Sequence, residues 1–139
     1  MTERRFGDWV LIAAPGACQL VTQVISARSG AVLLEMILIA PPPDSPGARI
    51  GLRVPTGASL RDGIAYRHPD GPAIGLEWQN CDAQMCLAAG ALSDDGLRRL
   101  LRGNRVVAGF RPLPGAQPVN IEVSLRGTSA GWAALSDCG

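Results

Sequence analysis

From Gln117 to Arg126 the chain alternates without interruption, with Val119, Ile121, Val123 and Leu125 on one side and Asn120, Glu122, Ser124 and Arg126 on the other. A period of two belongs to a strand with one face buried and one face wet. Arg49 to Val54 repeats it with Ile50, Leu52 and Val54 inward, and Ala73 to Gln79 repeats it with Ile74, Leu76 and Trp78 inward. Further strand candidates are Arg5 to Ile12, Cys18 to Ser26, Val32 to Ala40, Gly63 to His68, Gln84 to Ala89 and Arg105 to Arg111, each bounded by Gly, Pro, Asn or Asp. Seventeen Gly and eleven Pro in 139 residues supply the turns that so many short segments need. The expectation is a mainly β, antiparallel sandwich or barrel of about nine strands, forming one domain over residues 1–139.

Val32 to Ala40 is a continuous apolar run, broken only by Glu35 and ended by Pro41-Pro42-Pro43. Its length and branched residues favour a strand, with Leu34, Met36 and Leu38 inward. The opposite side, Leu33, Glu35 and Ile37, is too apolar to be fully solvated. Asp44 to Gly47 reads as an exposed strand connector. One helix is expected: Ser93 as N-cap, Asp94 and Asp95 in the first turn, a stripe of Leu97, Leu100 and Leu101, then Arg98, Arg99 and Arg102, with Gly103 at the end. Thr128 to Asp137, with Trp132 and Leu135, suits only a short turn or helix, since Gly131 weakens it.

Thirteen Arg against twelve acids leave a formal charge of +1, evenly scattered, which argues against a nucleic-acid partner. The six aromatics form no stacking platform, and each Trp suits a core or strand-end position better than a ligand clamp. No apolar run reaches the roughly twenty residues of a membrane helix. Catalytic, cofactor and metal sites are all expected to be absent. His68 is the only histidine and sits in a tight Arg67-His68-Pro69-Asp70-Gly71 turn; no Gly-x-Ser-x-Gly elbow or Gly-rich phosphate loop accompanies it. A pair of carboxylates facing each other across a cleft remains open on sequence grounds.

Cys18, Cys81, Cys86 and Cys138 allow three disulfide pairings. Four residues separate Cys81 from Cys86, enough for a hairpin loop that brings the sulfurs together; two unrelated buried thiols are the alternative. A stapled hairpin implies an oxidising compartment. The first residues hold no apolar signal core, so the expectation is a mature or trimmed form whose export signal is missing from this chain.

Taken in order, Phe6-Gly7-Asp8-Trp9, Val54-Pro55-Thr56-Gly57 with Leu60 and Gly63-Ile64, the Cys81/Cys86 hairpin, Leu97 to Gly103 and Val123-Ser124-Leu125-Arg126-Gly127 resemble the invasion-associated locus B family. That resemblance implies an immunoglobulin-like sandwich in a small exported bacterial protein of the periplasm or cell envelope. The family's founding member is linked to red-cell invasion, but no molecular activity comes with the resemblance. Family members commonly carry a cysteine about four residues after the Trp, where this chain has Ala13, so Cys18 has lost its usual partner. Cys138 is then its expected mate, tying the C-terminal tail to the early strands. The function expected on these grounds is that of a non-enzymatic envelope, periplasmic or secreted protein, in peripheral envelope association, that contacts an unidentified protein or cell-surface partner. The alternatives are an enzyme with a carboxylate cleft and a cytosolic interaction module with free thiols.

Overall fold

A computed structural model describes residues 2–15, 17–41 and 47–138. It contains ten strands: β1 (Thr2–Phe6), β2 (Trp9–Ala14), β3 (Ala17–Ile25), β4 (Val32–Ile39), β5 (Ala48–Pro55), β6 (Ile64–Arg67), β7 (Ile74–Cys81), β8 (Met85–Leu92), β9 (Arg105–Phe110) and β10 (Val119–Ser124). Two helices accompany them, α1 (Asp94–Arg102) between β8 and β9 and α2 (Thr128–Ser136) after β10. The count exceeds the expected nine strands because Arg5 to Ile12 is not one strand. Gly7, at φ +60°, turns the chain back on itself and splits the segment into the β1–β2 hairpin. The second helix corrects the expectation of one. Gly131 costs α2 little because it faces Leu20 so closely that a Cβ there would lie 2.7 Å from Leu20 Cδ1. Docking outweighs propensity. Of the Pro-rich connector, residues 42–46 lie outside the described residues.

The strands follow the order β1-β2-β3-β4-β5-β8-β7-β6-β9-β10, with every neighbouring pair antiparallel. β5 to β8 make a Greek key, in which three hairpin-connected strands return to lie beside the strand before them. β7 is the corner. Its first residues, Ile74 to Leu76, pair with β6, and from Glu77 to Cys81 it pairs with β8 instead, with a register shift between Trp78 and Asn80. A strand that changes partners in this way lets a sheet fold over itself. This switch explains why the inward pattern expected for β7 holds only for Leu76, which is 8% exposed, while Ile74 is 39% exposed and Trp78 half-buried.

Both parts of the curled sheet close on one apolar core. Leu34, Met36 and Leu38 of β4, Ile50, Leu52 and Val54 of β5, and Val106, Ala108 and Val123 of β9 and β10 belong to it. α1 has the expected caps: the Ser93 hydroxyl accepts from the Gly96 N–H at 3.0 Å, and the Gly103 N–H donates to the Leu100 carbonyl. Leu100 of α1 and Leu135 of α2 enter the core, so the helices cover its open side.

Candidate functional site

Four of the landmarks that carry the resemblance turn out to be parts of two clasps. At the first, the Phe6-Gly7-Asp8-Trp9 turn meets Ser124 to Gly127 from the far edge of the sheet. Asp8 N–H donates to the Arg126 carbonyl at 2.9 Å, and the Trp9 indole N–H donates to the Ser124 carbonyl at 2.9 Å. The Asp8 carboxylate accepts from the Ser124 hydroxyl at 2.6 Å and from Arg126 Nη2 at 3.1 Å. Gly127, at φ +99°, sits so tightly on the Phe6 carbonyl that no side chain could be added there. At the second clasp, Thr56 holds the stapled hairpin, its N–H donating to the Gln84 carbonyl and its hydroxyl to the Asp82 carbonyl, both at 2.9 Å. Asp82 in turn accepts the Gln84 and Met85 N–H groups at 2.7 Å, and these bonds hold its carboxyl below the usual carboxylate range.

The arginine and serine bonds likewise hold Asp8 below the ordinary carboxylate range. A carboxyl depressed in the folded state stabilises above its unfolded pKa near ~3.9 and loses that contribution as pH falls through the folded value. Asp8→Asn should therefore lower Tm at neutral pH, with the gap from the parent protein closing on acidification. Thermal unfolding of both proteins between neutral pH and pH ~2 checks this; a gap that stays constant would mean that the Asp8 charge contributes nothing.

The structure bonds Cys81 to Cys86, with Cα atoms 4.0 Å apart, and Cys18 to Cys138, with Cα atoms 6.4 Å apart. The His68 carbonyl closes its turn by accepting the Gly71 N–H at 3.0 Å, and the residue is 6% exposed. Among the described residues, no group of three or more His, Cys, Asp or Glu is placed to hold a metal ion, and no helix is long and apolar enough to cross a membrane.

The candidate binding surface is the outer face of the longer part of the sheet. Register places Val10, Val21, Ile37, Gly51 and Ala89 in one row across β2, β3, β4, β5 and β8, on the side away from the core. Ile12 and Ile39 stand in the next row. Ile37 is nevertheless only 2% exposed. Gly51 beside it has no side chain, so Leu87 leans over the gap, 3.3 Å from where a Cβ would stand. On the other flank, Glu35 accepts from Gln23 Nε2 at 2.6 Å and pairs with Arg53 at 3.4 Å, walling off the row. Toward β1 the face sinks into a cleft of about 400 Å³ with Val10, Ile12, Val21 and Ile25 as its apolar lining. Glu3, Arg5, Asp8, Gln23 and Glu35 supply its polar lining. Beside it, Ile25 and Leu33 are 52% and 39% exposed.

Three carboxylates line that cleft, so the enzyme alternative has a concrete location. A general acid, however, needs a carboxyl raised above its usual range. Asp8 is shifted the other way. The sequence pointed to this face only through the apolar Leu33/Ile37 side of β4; its neighbours on β2 and β3 come from pairing register, which alternation within one strand does not disclose.

A curled antiparallel sheet of ten strands, with two helices at its side and two disulfides, defines a small cross-linked β protein. A family profile described as "Invasion associated locus B (IalB) protein" matches residues 12–136, and the chain belongs to that family. Its fold is that of invasion associated protein B from Bartonella henselae, whose crystal structure superposes with a TM-score of 0.84 at 18% identity, covering 99% of this chain and 97% of that one. No curated protein matches the chain.

Proposed function

We propose that this chain is a non-enzymatic exported protein of the bacterial envelope, periplasmic or secreted, that binds a protein or cell-surface partner through the outer face of its longer sheet portion. The observation that carries the reading is the cleft beside β1, with its apolar lining of Val10, Ile12, Val21 and Ile25 and its charged rim. An apolar centre ringed by polar groups is the usual anatomy of a protein-binding surface. Two disulfides favour an oxidising compartment over the cytosol. Core packing between the two parts of the curled sheet, with β7 as the corner, supports a sandwich frame of the immunoglobulin-like kind. The B. henselae relative is described as invasion associated, which makes contact with a host cell the biological setting to examine first.

The test is fractionation of cells making the native full-length protein, with a photo-crosslinking residue at Ile12 and a control at Asp95 on the exposed side of α1. Expected is a protein in the periplasmic, envelope or culture fraction with both disulfides formed, crosslinked to a discrete partner from position 12 and not from 95. A Val10→Asp substitution should weaken that crosslink several-fold. Recovery in the cytosol with four reduced thiols, or equal crosslinking from both positions, would overturn the reading.

A further inference from the structure

A second cleft, of about 360 Å³, lies on the other part of the molecule, between the β6–β7 turn, the C-terminal end of α1 and the start of β9. We propose that it binds a compact oxyanion, the phosphate or sulfate group of a monoester. Three elements converge there: His68 and Asp70 from the turn, Arg99 and Arg102 from α1, and Arg105 from β9. Three guanidinium groups meet one carboxylate in the lining, Asp70, and one beside it, Glu122, which leaves Arg102 as a positive charge without an ion pair among the described residues. Arginines in the last turn of a helix also complement its macrodipole, and that simpler role accounts for Arg99 and Arg102. It does not account for Arg105, which stands beyond the helix and meets Glu122 only at 3.8 Å.

One wall of the cleft is an ion pair. Arg99 Nη2 bonds Asp70 Oδ1 at 2.7 Å, and the guanidinium lies flat over Gly71, where a Cβ would come within 2.9 Å of Nη2. The fork thus stands beside the opening, where arginine can meet an oxyanion with parallel N–H donors. Among the described residues, Arg102 makes no ion pair. His68 is 94% buried by its 6% exposure, and its ring makes no hydrogen bond to another described residue. Among the described residues no fully buried side-chain nitrogen lacks a partner, so the ring nitrogens keep some contact with solvent, and His68 itself lines the cleft. Burial first, and the Arg99 charge second, hold the imidazole below its ordinary pKa, while Asp70 opposes them. The ring is therefore neutral at pH 7 and offers one N–H alongside the guanidinium donors.

His68 is the only histidine, so its ring resonances report on this cleft alone. NMR titration of the intact protein in chloride, and in sulfate or inorganic phosphate at matched ionic strength, should show the His68 midpoint rising with either oxyanion. Arg102→Gln combined with Arg105→Gln should weaken anion affinity at least about tenfold; the single Arg105→Gln variant, tested in parallel, should weaken it less. Sedimentation with phosphatidic acid vesicles, but not with phosphatidylcholine vesicles, would assign the group to a lipid headgroup. A His68 shift in free phosphate without sedimentation would assign it to a soluble ester or ion. An unmoved midpoint in both oxyanions, a shift that survives in the double variant, or vesicle binding that leaves His68 unchanged would overturn the proposal.

Discussion

Removing the Cys18–Cys138 bond by the double substitution Cys18→Ala and Cys138→Ala should lower the unfolding free energy by up to about 5 kcal/mol, against about 2 kcal/mol for Cys81→Ala with Cys86→Ala. The bonds span 120 and 5 residues respectively, and in the chain-entropy account the longer loop confines the unfolded chain more. Local structure sharpens the contrast. The short hairpin keeps its shape without sulfur, since Asp82 still accepts two backbone N–H groups and Thr56 still clasps the loop. The long bond instead pins α2, whose Gly131 and Leu135 pack against the core beside β3, to the start of that strand. Urea unfolding under non-reducing conditions checks both: the long-loop variant should also show a larger m-value, because its unfolded chain exposes more surface. Equal losses in the two variants would mean that loop length is not what the Cys18–Cys138 bond contributes through. A loss confined to faster hydrogen exchange over Thr128–Ser136 would place the effect in local docking of α2.

Much of this architecture is readable in the residues, and what is missing has a common cause. The Arg49–Val54 alternation becomes β5 with Ile50, Leu52 and Val54 all fully buried, because a strand inside a sheet has no other way to arrange a period of two. Ser93 and Gly103 bound α1 as their chemistry requires. Errors arise where a distant contact overrides local preference: Gly7 bends a segment that alternates like a single strand, and Leu20 accommodates the glycine that should weaken α2. The outer face follows the same rule. Ile37 looks half-wet in its own strand and is buried beside Leu87, Gln23 and Arg53 from three others, with Glu35 of its own strand bonded to two of them. The landmarks Phe6-Gly7-Asp8-Trp9 and Ser124-Leu125-Arg126-Gly127 lie more than a hundred residues apart, and no periodicity links them. Their contact shows that they share a structural task, closing the curled sheet, so that these motifs mark the fold.

Trp9→Ala should be the most damaging single side-chain truncation at that closure, costing about 3–5 kcal/mol. Trp9 is 0% exposed, belongs to the shared core and reaches from β2 to the Ser124 carbonyl of β10. Two contributions are lost together: the large apolar volume, which the surrounding strands cannot refill, and the indole N–H that satisfies a part-buried carbonyl. Trp9→Phe separates them, keeping much of the ring while removing the donor, and should cost about 1–3 kcal/mol. If the indole bond ties the two edges of the sheet, hydrogen exchange in both variants should quicken in β1 and β10 more than in β4 and β5, which are flanked by strands on both sides. Uniform acceleration across all strands would instead make Trp9 a filler of core volume, with the closure resting on Asp8 and Arg126. A Trp9→Phe variant as damaged as Trp9→Ala would assign nearly the whole effect to the single bond from Nε1 to Ser124.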